Sequence, residues 1–411
     1  MGRKALTTIG PKIKCESTIF VDDIEQAGSH IGTIETTASN CAVMEDTRKF
    51  TFNNKTDKTA FMIVNPKKDN KVNKLKNQIK RGEIHRTDLY RYLGEWYNEK
   101  YNHEKSITEK RKNVNHMISK IKYYGDPYQV GHLALQVRLV IFNITAIPTF
   151  FTNIETWSRI SRKEIEQLEK IQKDVLLAIL ELPPSTPYKG VLSELGIWPV
   201  EQLMEYKRLT LLQQIIQSDE KRILKEIIED QIQNTWTGCW MEKTKEICEK
   251  YSIQIDEIRN EEATKFKKNI KNKINKKLDE EILQLSKEKT KLRFCTNAKK
   301  KEYIEKLGYL EAKAIMKLRL NMIEVKCNYK GQYKEHRCQC QESEDTTEHL
   351  FNCKQIKSKI KNIPSAESIK ESDKESCTQL AKFVKNAMNI KGIDINQRVK
   401  ENIGVNFDDT N

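Results

Sequence analysis

Apolar and polar residues alternate near the start of the chain in a way that predicts short strands. In residues 12–24, apolar side chains recur with a period of two, which places them on one face of a strand. Apolar clusters predict a buried strand over residues 61–64 and an aromatic strand over residues 89–97. In the aromatic strand, Gly94 would allow another backbone to approach closely.

Beyond residue 100 the apolar period changes to that of helices. The strongest amphipathic pattern runs from Arg162 to Leu182 and stops at Pro183-Pro184, because proline cannot continue a helix. Helices are also predicted over residues 30–50, 201–216 and 378–388, and residues 104–235 as a whole are largely helical in pattern. The predicted fold class is therefore α+β and predominantly α-helical.

The composition of the chain also indicates what kind of partner it binds. The chain has 411 residues, only 37% of them apolar, and a formal net charge of +15, which favours a polyanion as partner. A codon bias towards lysine and asparagine is the alternative. Ten unevenly spaced cysteines without a secretory signal indicate reduced thiols and a nuclear or cytoplasmic location. The longest apolar run, residues 139–151, is too short to span a membrane, so no membrane partner is expected.

Two adjacent acidic residues, Asp22 and Asp23, follow the first apolar strand and are predicted to form a turn. Neighbouring carboxylates repel each other unless a cation lies between them, and Mg²⁺ prefers such oxygen ligands. A second pair, Asp408-Asp409, lies in a polar tail with no strand before it and is interpreted as solvated. An Asp-Asp pair alone is thus only a weak indication of a magnesium site.

Lysines dominate a later segment that is predicted to be helical. As a helix it would be basic over most of its circumference, with an apolar seam of Phe266, Ile270 and Ile274. Such a helix could follow nucleic-acid phosphates, although a charge run is more often a solvated face. The candidate nucleic-acid-binding residues are Lys265, Lys267, Lys268, Lys271, Lys273, Lys276 and Lys277.

A cluster of cysteine and histidine residues predicts a zinc site. Its four candidate ligands lie within sixteen residues and suit tetrahedral Zn²⁺: Cys338, Cys340, His349 and Cys353. His349 and Cys353 are four residues apart and would share one helical face, and residues 344–348 (Glu-Asp-Thr-Thr-Glu) would supply its N-cap and an acidic first turn. The alternative is a pair of reduced core cysteines with a surface histidine.

Three motifs in order resemble the reverse transcriptases of non-LTR (LINE-type) retrotransposons. They are Phe20-Val21-Asp22-Asp23, then Lys58-Thr59 with Asn54 at a wider spacing before it, then Tyr92-Leu93-Gly94. The segment from Glu344 to His349 is similar to the Cys-Cys-His-Cys motif that follows the thumb in this family. That motif usually begins Cys-x-x-Cys, whereas this chain has Cys-x-Cys, so His336 or Cys327 is an alternative fourth ligand.

The resemblance implies a role for each motif. Asp22 and Asp23 would hold catalytic Mg²⁺, Lys58 would lie near the incoming nucleotide, and Tyr92, Leu93 and Gly94 would form the primer grip. The implied architecture is a truncated polymerase palm with a small antiparallel sheet (1–100), a helical thumb-like region (101–235), a basic helical region (236–325), a zinc knuckle (326–356) and a polar tail (357–411).

The implied function is RNA-directed DNA polymerisation, which is nucleotidyl transfer onto a DNA primer along an RNA template with two Mg²⁺ ions. The alternative is a non-catalytic nucleic-acid-binding remnant that uses the basic helices and the zinc knuckle. A third interpretation is a helical scaffold with an incidental zinc site, whose duplex binding would barely change with salt.

We expect the 411 residues alone not to extend a primer on an RNA template with Mg²⁺. The family's first catalytic aspartate lies well upstream of the Asp-Asp motif and does not fit before Ile19. A primer-extension assay checks this expectation. Nucleotide incorporation that disappears in Asp22→Ala would overturn it.

Overall fold

A computed structural model shows a mostly helical protein with small β-sheets. It describes residues 82–393 except 93, 101, 125–134, 221, 330, 332 and 372; before residue 82 it describes only 16–20, 23–27, 39, 43, 45–48, 60–62 and 77–79. The helical character and the small antiparallel sheet predicted from the sequence are confirmed. Residues 39, 43 and 45–48, which belong to the predicted helix 30–50, are helical.

The strands are short and pair mainly with their neighbours in sequence. β1 (Glu16–Phe20) and β2 (Asp23–Ala27) are antiparallel, and β6 (Leu89–Tyr92) pairs in the same way with β7 (Glu95–Asn98). Between these two hairpins in sequence come the strands β3 (Ala60–Phe61), β4 (Asn77–Ile79) and β5 (Gly82–Arg86). They form a three-stranded sheet in the order β3-β5-β4. β3 is parallel to β5, and β4 is antiparallel to it.

The helices agree closely with the apolar periods in the sequence. The longer ones are α1 (Glu104–Tyr124), α4 (Arg162–Leu180), α6 (Val200–Ile216), α10 (Ala263–Glu288) and α15 (Lys374–Ile390). The others are α2 (Leu135–Ile141), α3 (Ile147–Phe151), α5 (Tyr188–Leu195), α7 (Ile223–Gln233), α8 (Trp240–Lys250), α9 (Ile255–Asn260), α11 (Tyr303–Lys306), α12 (Tyr309–Arg319), α13 (His349–Asn352) and α14 (Lys354–Lys357). Short 3₁₀ turns cover Lys326–Tyr329 and Ala366–Lys370.

The chain forms two compact units that are interleaved in sequence. The first contains residues 1–113, 149–171 and 200–274, and the second contains residues 114–148, 172–199 and 275–411. The sequence predicted five consecutive regions. The structure groups the chain differently because apolar helix faces from distant parts of the sequence pack together.

The first unit buries an arginine that has no carboxylate partner among the described residues. Arg208 is fully buried and donates hydrogen bonds to Thr244 Oγ1 (2.8 Å) and to the carbonyls of Trp157 (2.6 Å) and Trp240 (2.5 Å). Its guanidinium also lies over the Trp240 ring, 4.4 Å from the centroid. Burial lowers the pKa of Arg208 to about 9. These bonds tie α6 to α8 and to the chain before α4.

The second unit is built around a buried ion pair. Arg319 at the end of α12 and Glu194 in α5 are both fully buried, and Nε lies 2.8 Å from the Glu194 carboxylate. That carboxylate also accepts a hydrogen bond from Tyr303 (2.7 Å). The remaining guanidinium nitrogens donate to the carbonyls of Phe294, Ile369 and Glu371. Burial opposes the charge on Arg319, but the Glu194 carboxylate together with the neighbouring Tyr303 and Cys295 outweighs burial and raises the pKa of the guanidinium.

The segment predicted as a polar tail contributes to this core. Only its helix over residues 378–388 was expected, whereas α15 begins at Lys374 and ends at Ile390. One face of α15 is buried in the second unit, with Leu380, Phe383, Val384 and Met388 among its buried residues. The apolar residues are spaced at helical intervals among lysines, so the average polarity of the segment concealed its apolar face.

The predicted aromatic strand over residues 89–97 is instead a hairpin. Tyr92 pairs with Glu95, so only Leu93 and Gly94 separate β6 from β7. Gly94 has φ +88°, a left-handed conformation that favours glycine, and no atom of the described residues beyond its chain neighbours would lie within 4 Å of an added Cβ. Gly94 is therefore suited to the turn and does not mark a close backbone approach.

One helical stretch, Leu135–Thr156, is long and apolar enough to span a membrane by length and composition alone. It exceeds the apolar run over residues 139–151 because the helix continues on both sides. Core helices pass the same test, and Phe142, Ala146 and Phe150 in this stretch are fully buried. Arg138 is buried as well and donates to the Ile179 carbonyl (2.8 Å). The absence of a membrane partner stays a prediction.

Replacing Arg319 by methionine should destabilise the protein by about 3–5 kcal/mol, because Glu194 would be left buried and unpaired. The measurement is the shift in the urea midpoint of unfolding.

The matched control is Arg162→Met. Arg162 pairs with Glu201 at 3.1 Å, but its side chain is 63% exposed, so a loss of at most about 1 kcal/mol is expected. The double variant Glu194→Leu/Arg319→Met should be more stable than Arg319→Met, because it removes both charges. Equal effects of Arg319→Met and Arg162→Met would contradict the central role of the buried pair.

Candidate metal centre and nucleic-acid surface

The predicted zinc ligands converge in the second unit. Cys338 and Cys340 lie on a tight loop, where the backbone N–H of Cys338 donates to the Ser343 carbonyl (2.9 Å) and that of Gln341 donates to Cys338 (2.9 Å). A β-bridge between Arg337 and Glu344 closes the loop. His349 begins α13, and Cys353 follows the end of that helix.

The ligand atoms are close enough to hold one ion. The three sulfurs and one imidazole nitrogen all lie within 4.8 Å of one another. In a tetrahedral zinc site with Zn–S bonds of about 2.3 Å, two sulfur ligands lie roughly 3.8 Å apart. The sulfurs of Cys338 and Cys353 are 3.8 Å apart, and Cys340 Sγ lies 3.1 Å from His349 Nε2. The three thiols and one imidazole fit a structural zinc ion, and they could bind it after the Cys340–His349 distance widens by about half an ångström.

The histidine is oriented by a serine that sequence analysis did not single out. Ser343 Oγ lies 2.6 Å from His349 Nδ1. When Nδ1–H donates to this hydroxyl, the Nε2 lone pair faces Cys340 and is available to a metal. Burial lowers the pKa of His349, which favours the neutral imidazole that metals require.

Burial also affects the cysteines. Cys338 and Cys353 are fully buried, while Cys340 is partly exposed. Burial raises the pKa of the Cys338 thiol to about 11, so the metal-free thiol holds its proton at neutral pH. A bound zinc ion would release that proton, which couples metal binding to proton release.

Asp345 connects the metal loop to the rest of the unit. Its carboxylate is buried, pairs with Lys391 directly after α15, and accepts a hydrogen bond from the backbone N–H of Lys326 (3.1 Å). Its own N–H donates to the His336 carbonyl (2.7 Å). The sequence pattern predicted for Asp345 only a place at the acidic start of a helix. Thr346, three residues before α13, accepts a hydrogen bond at Oγ1 from the His349 N–H (3.1 Å).

Two details of the predicted site need correction. His349 and Cys353 do not share a helical face, because α13 ends at Asn352 and Cys353 is extended (φ −63°, ψ 126°). The bend nevertheless brings Cys353 to the cluster. The alternative ligands His336 and Cys327 are not members of the four-residue cluster; Cys327 Sγ lies near the His336 carbonyl (3.9 Å) instead.

The residues assigned to polymerase chemistry are only partly described. Asp22, Lys58 and Leu93 lie outside the described residues. Asp23 is the first residue of β2 and pairs with Phe20 at the end of β1. Tyr92 ends β6, and Gly94 precedes β7. The magnesium site and the primer grip therefore stay predictions.

The lysine-rich segment is helical, as predicted, and lies in α10. The apolar seam is buried and extends beyond the predicted residues to Leu278 and Ile282. Lys267 and Lys273 are half-buried, and the other five lysines are exposed: Lys265, Lys268, Lys271, Lys276 and Lys277. Lys273 donates to the Ser252 carbonyl (2.7 Å), and Lys265 lies 3.8 Å from Glu261.

No protein-family model matches this chain, and neither a curated protein nor a solved structure shows significant similarity to it.

The purified chain should carry one zinc ion, and Cys353→Ser should lose it, because three remaining ligands cannot close a tetrahedral structural site. Zinc content per chain, measured by native mass spectrometry, checks this.

Cys327→Ser is the matched control and should retain zinc, because Cys327 is near the cluster but does not belong to it. Loss of zinc in both variants to the same extent would show that the ligand set is wrong.

Proposed function

We propose that this chain binds nucleic acid through the lysines of α10 and corresponds to the carboxyl-terminal part of a non-LTR retrotransposon reverse transcriptase. The observation that supports binding most directly is the exposure of lysines on a helix whose apolar seam is buried. The burial of the seam orients the helix, so the lysines project to solvent along it. The net charge of +15 agrees with a polyanionic partner.

The expected mode of binding is contact with the phosphate backbone. Lysine ammonium groups act as point charges on phosphates, and such contacts position a protein on a duplex without reading its sequence. Each contact releases condensed counterions, so affinity should fall steeply with salt. In this proposal the zinc centre has a structural role and takes no part in chemistry.

A second candidate function is nucleotidyl transfer with Mg²⁺, within a longer protein or assembly. The β1–β2 hairpin supports it, because Asp23 begins β2 and only Val21 and Asp22 separate the two strands in sequence. In this candidate the two carboxylates hold Mg²⁺, Lys58 lies by the nucleotide, and an RNA template and a DNA primer are the substrates.

The variant Lys267→Gln/Lys268→Gln/Lys271→Gln should weaken binding to an RNA–DNA hybrid and reduce the salt dependence. For three lost phosphate contacts, the slope of log affinity against log salt should fall by about 2.7, taking about 0.9 for each contact. Fluorescence anisotropy at several salt concentrations measures the slope.

The control variant Lys374→Gln/Lys382→Gln/Lys385→Gln removes the same charge from exposed positions on α15 and should leave most of the slope in place. Wild-type binding that barely changes with salt would overturn the proposal and favour a helical scaffold.

A further inference from the structure

The zinc ligand Cys353 also begins the next helical segment. Its carbonyl accepts hydrogen bonds from the N–H groups of Ile356 (3.1 Å) and Lys357 (2.9 Å), which start α14. The N–H groups of Lys359 (3.0 Å) and Ile360 (2.9 Å) then donate to the Ile356 carbonyl. The backbone of residues 354–360 is therefore held by a chain of hydrogen bonds that starts at a metal ligand.

One side of this segment faces inward, and its lysines face solvent. Ile356 is fully buried, whereas Lys354, Lys357, Lys359 and Lys361 are exposed. The segment has little other apolar burial, because Ile360 is only half-buried. Its position therefore depends mainly on Ile356 and on the attachment at Cys353, with an exposed ion pair between Lys354 and Glu342 beside them.

All charged residues within the segment 354–361 are lysines. Lys354 pairs with Glu342, on the loop that carries Cys340. Residues 349–366 contain no acidic side chain, so three lysines are left without an acidic neighbour in sequence: Lys357, Lys359 and Lys361. Lys357 has a weak contact with Asn352 Oδ1 (3.4 Å). No aromatic residue occurs in residues 353–366, so stacking on bases is not available here.

We propose that Lys357, Lys359 and Lys361 form a second phosphate-contact surface, which zinc binding at Cys353 holds in place. This rests on the proposed binding of nucleic acid and adds both a second surface and a metal dependence. The contacts are to the phosphate backbone and carry no sequence preference, since the segment offers ammonium groups and no base-reading or stacking side chains.

Metal binding matters because it supplies the order that the segment lacks. Without zinc, no metal bond joins Cys353 to the loop of Cys338 and Cys340, and the segment is held by the burial of Ile356, the weak Cys338–Cys353 thiol contact and the exposed Lys354–Glu342 pair. The three lysines then sample many positions, and each phosphate contact carries an extra entropic cost. Zinc-loaded protein therefore presents these lysines together, and zinc-free protein does not.

The first test compares zinc-loaded full-length wild type with Lys357→Gln/Lys359→Gln/Lys361→Gln on an RNA–DNA hybrid. Zinc content shows whether the variant still folds around the metal. Raising the salt from 50 to 200 mM weakens binding of both proteins, and the fold-loss of affinity should be about 40 times smaller for the variant than for wild type. This ratio corresponds to three contacts at about 0.9 each in the logarithmic slope. The control Lys374→Gln/Lys382→Gln/Lys385→Gln should retain the wild-type salt dependence.

An unchanged slope in the residue 357–361 variant would overturn the second surface. If the α10 variant still weakened binding, only this inference would fail; if wild type bound without salt dependence, the proposed function would fail too. If these lysines bind an acidic protein and not nucleic acid, the salt slope of nucleic-acid binding would likewise be unchanged in this variant.

The second test measures amide hydrogen exchange of the full chain with and without zinc. Exchange in residues 354–360 should accelerate at least 10-fold after zinc removal, while exchange in α6 of the first unit stays the same. Unchanged protection of residues 354–360 would overturn the metal dependence, whatever the result of the binding test.

Discussion

The buried ion pair between Arg319 and Glu194 is the interaction on which the second unit depends. A guanidinium in the protein interior is costly unless its donors find acceptors, and here they reach Glu194 and the carbonyls of Phe294, Ile369 and Glu371. All these acceptors must be in place together. α5, α12 and the chain before α15 are therefore mutually dependent, although they are far apart in sequence.

The second unit has few apolar residues around the cluster of Cys338, Cys340, His349 and Cys353. Ligand bonds to a metal ion could stabilise this part of the unit in place of an apolar core. The loop from His336 to Cys353 has little apolar core of its own, and four ligands can replace that core with bonds to one ion. The loop is then connected to the unit through the buried pair of Asp345 and Lys391 and through the packing of Phe351 on Phe383, whose ring centroids are 4.8 Å apart. A chain with 37% apolar residues thus relies on a few polar anchors.

Several features could be read from local pattern because they depend on local physics. The period of 3.6 residues located α4, α6 and α10, and prolines at 183–184 marked the end of α4. Ligand chemistry and spacing identified all four members of the metal cluster. The hairpin at Gly94 was not predicted, because two short strands and one long strand have the same apolar alternation. The bend at Cys353 was not predicted, because the four-residue spacing of His349 and Cys353 is also what one helical face would give.

Residue type and spacing along the chain were enough to predict the helical content, the apolar seam of α10, the four Cys and His residues that could bind zinc, and the positive charge. Other features became visible only in the folded chain: the grouping into two interleaved units, the inclusion of α15 in a core, and the contacts of Ser343, Asp345 and Arg319. Those features depend on contacts between residues that are distant in sequence. Such contacts are selected by the packing and hydrogen bonding of the whole unit, and no local period encodes them.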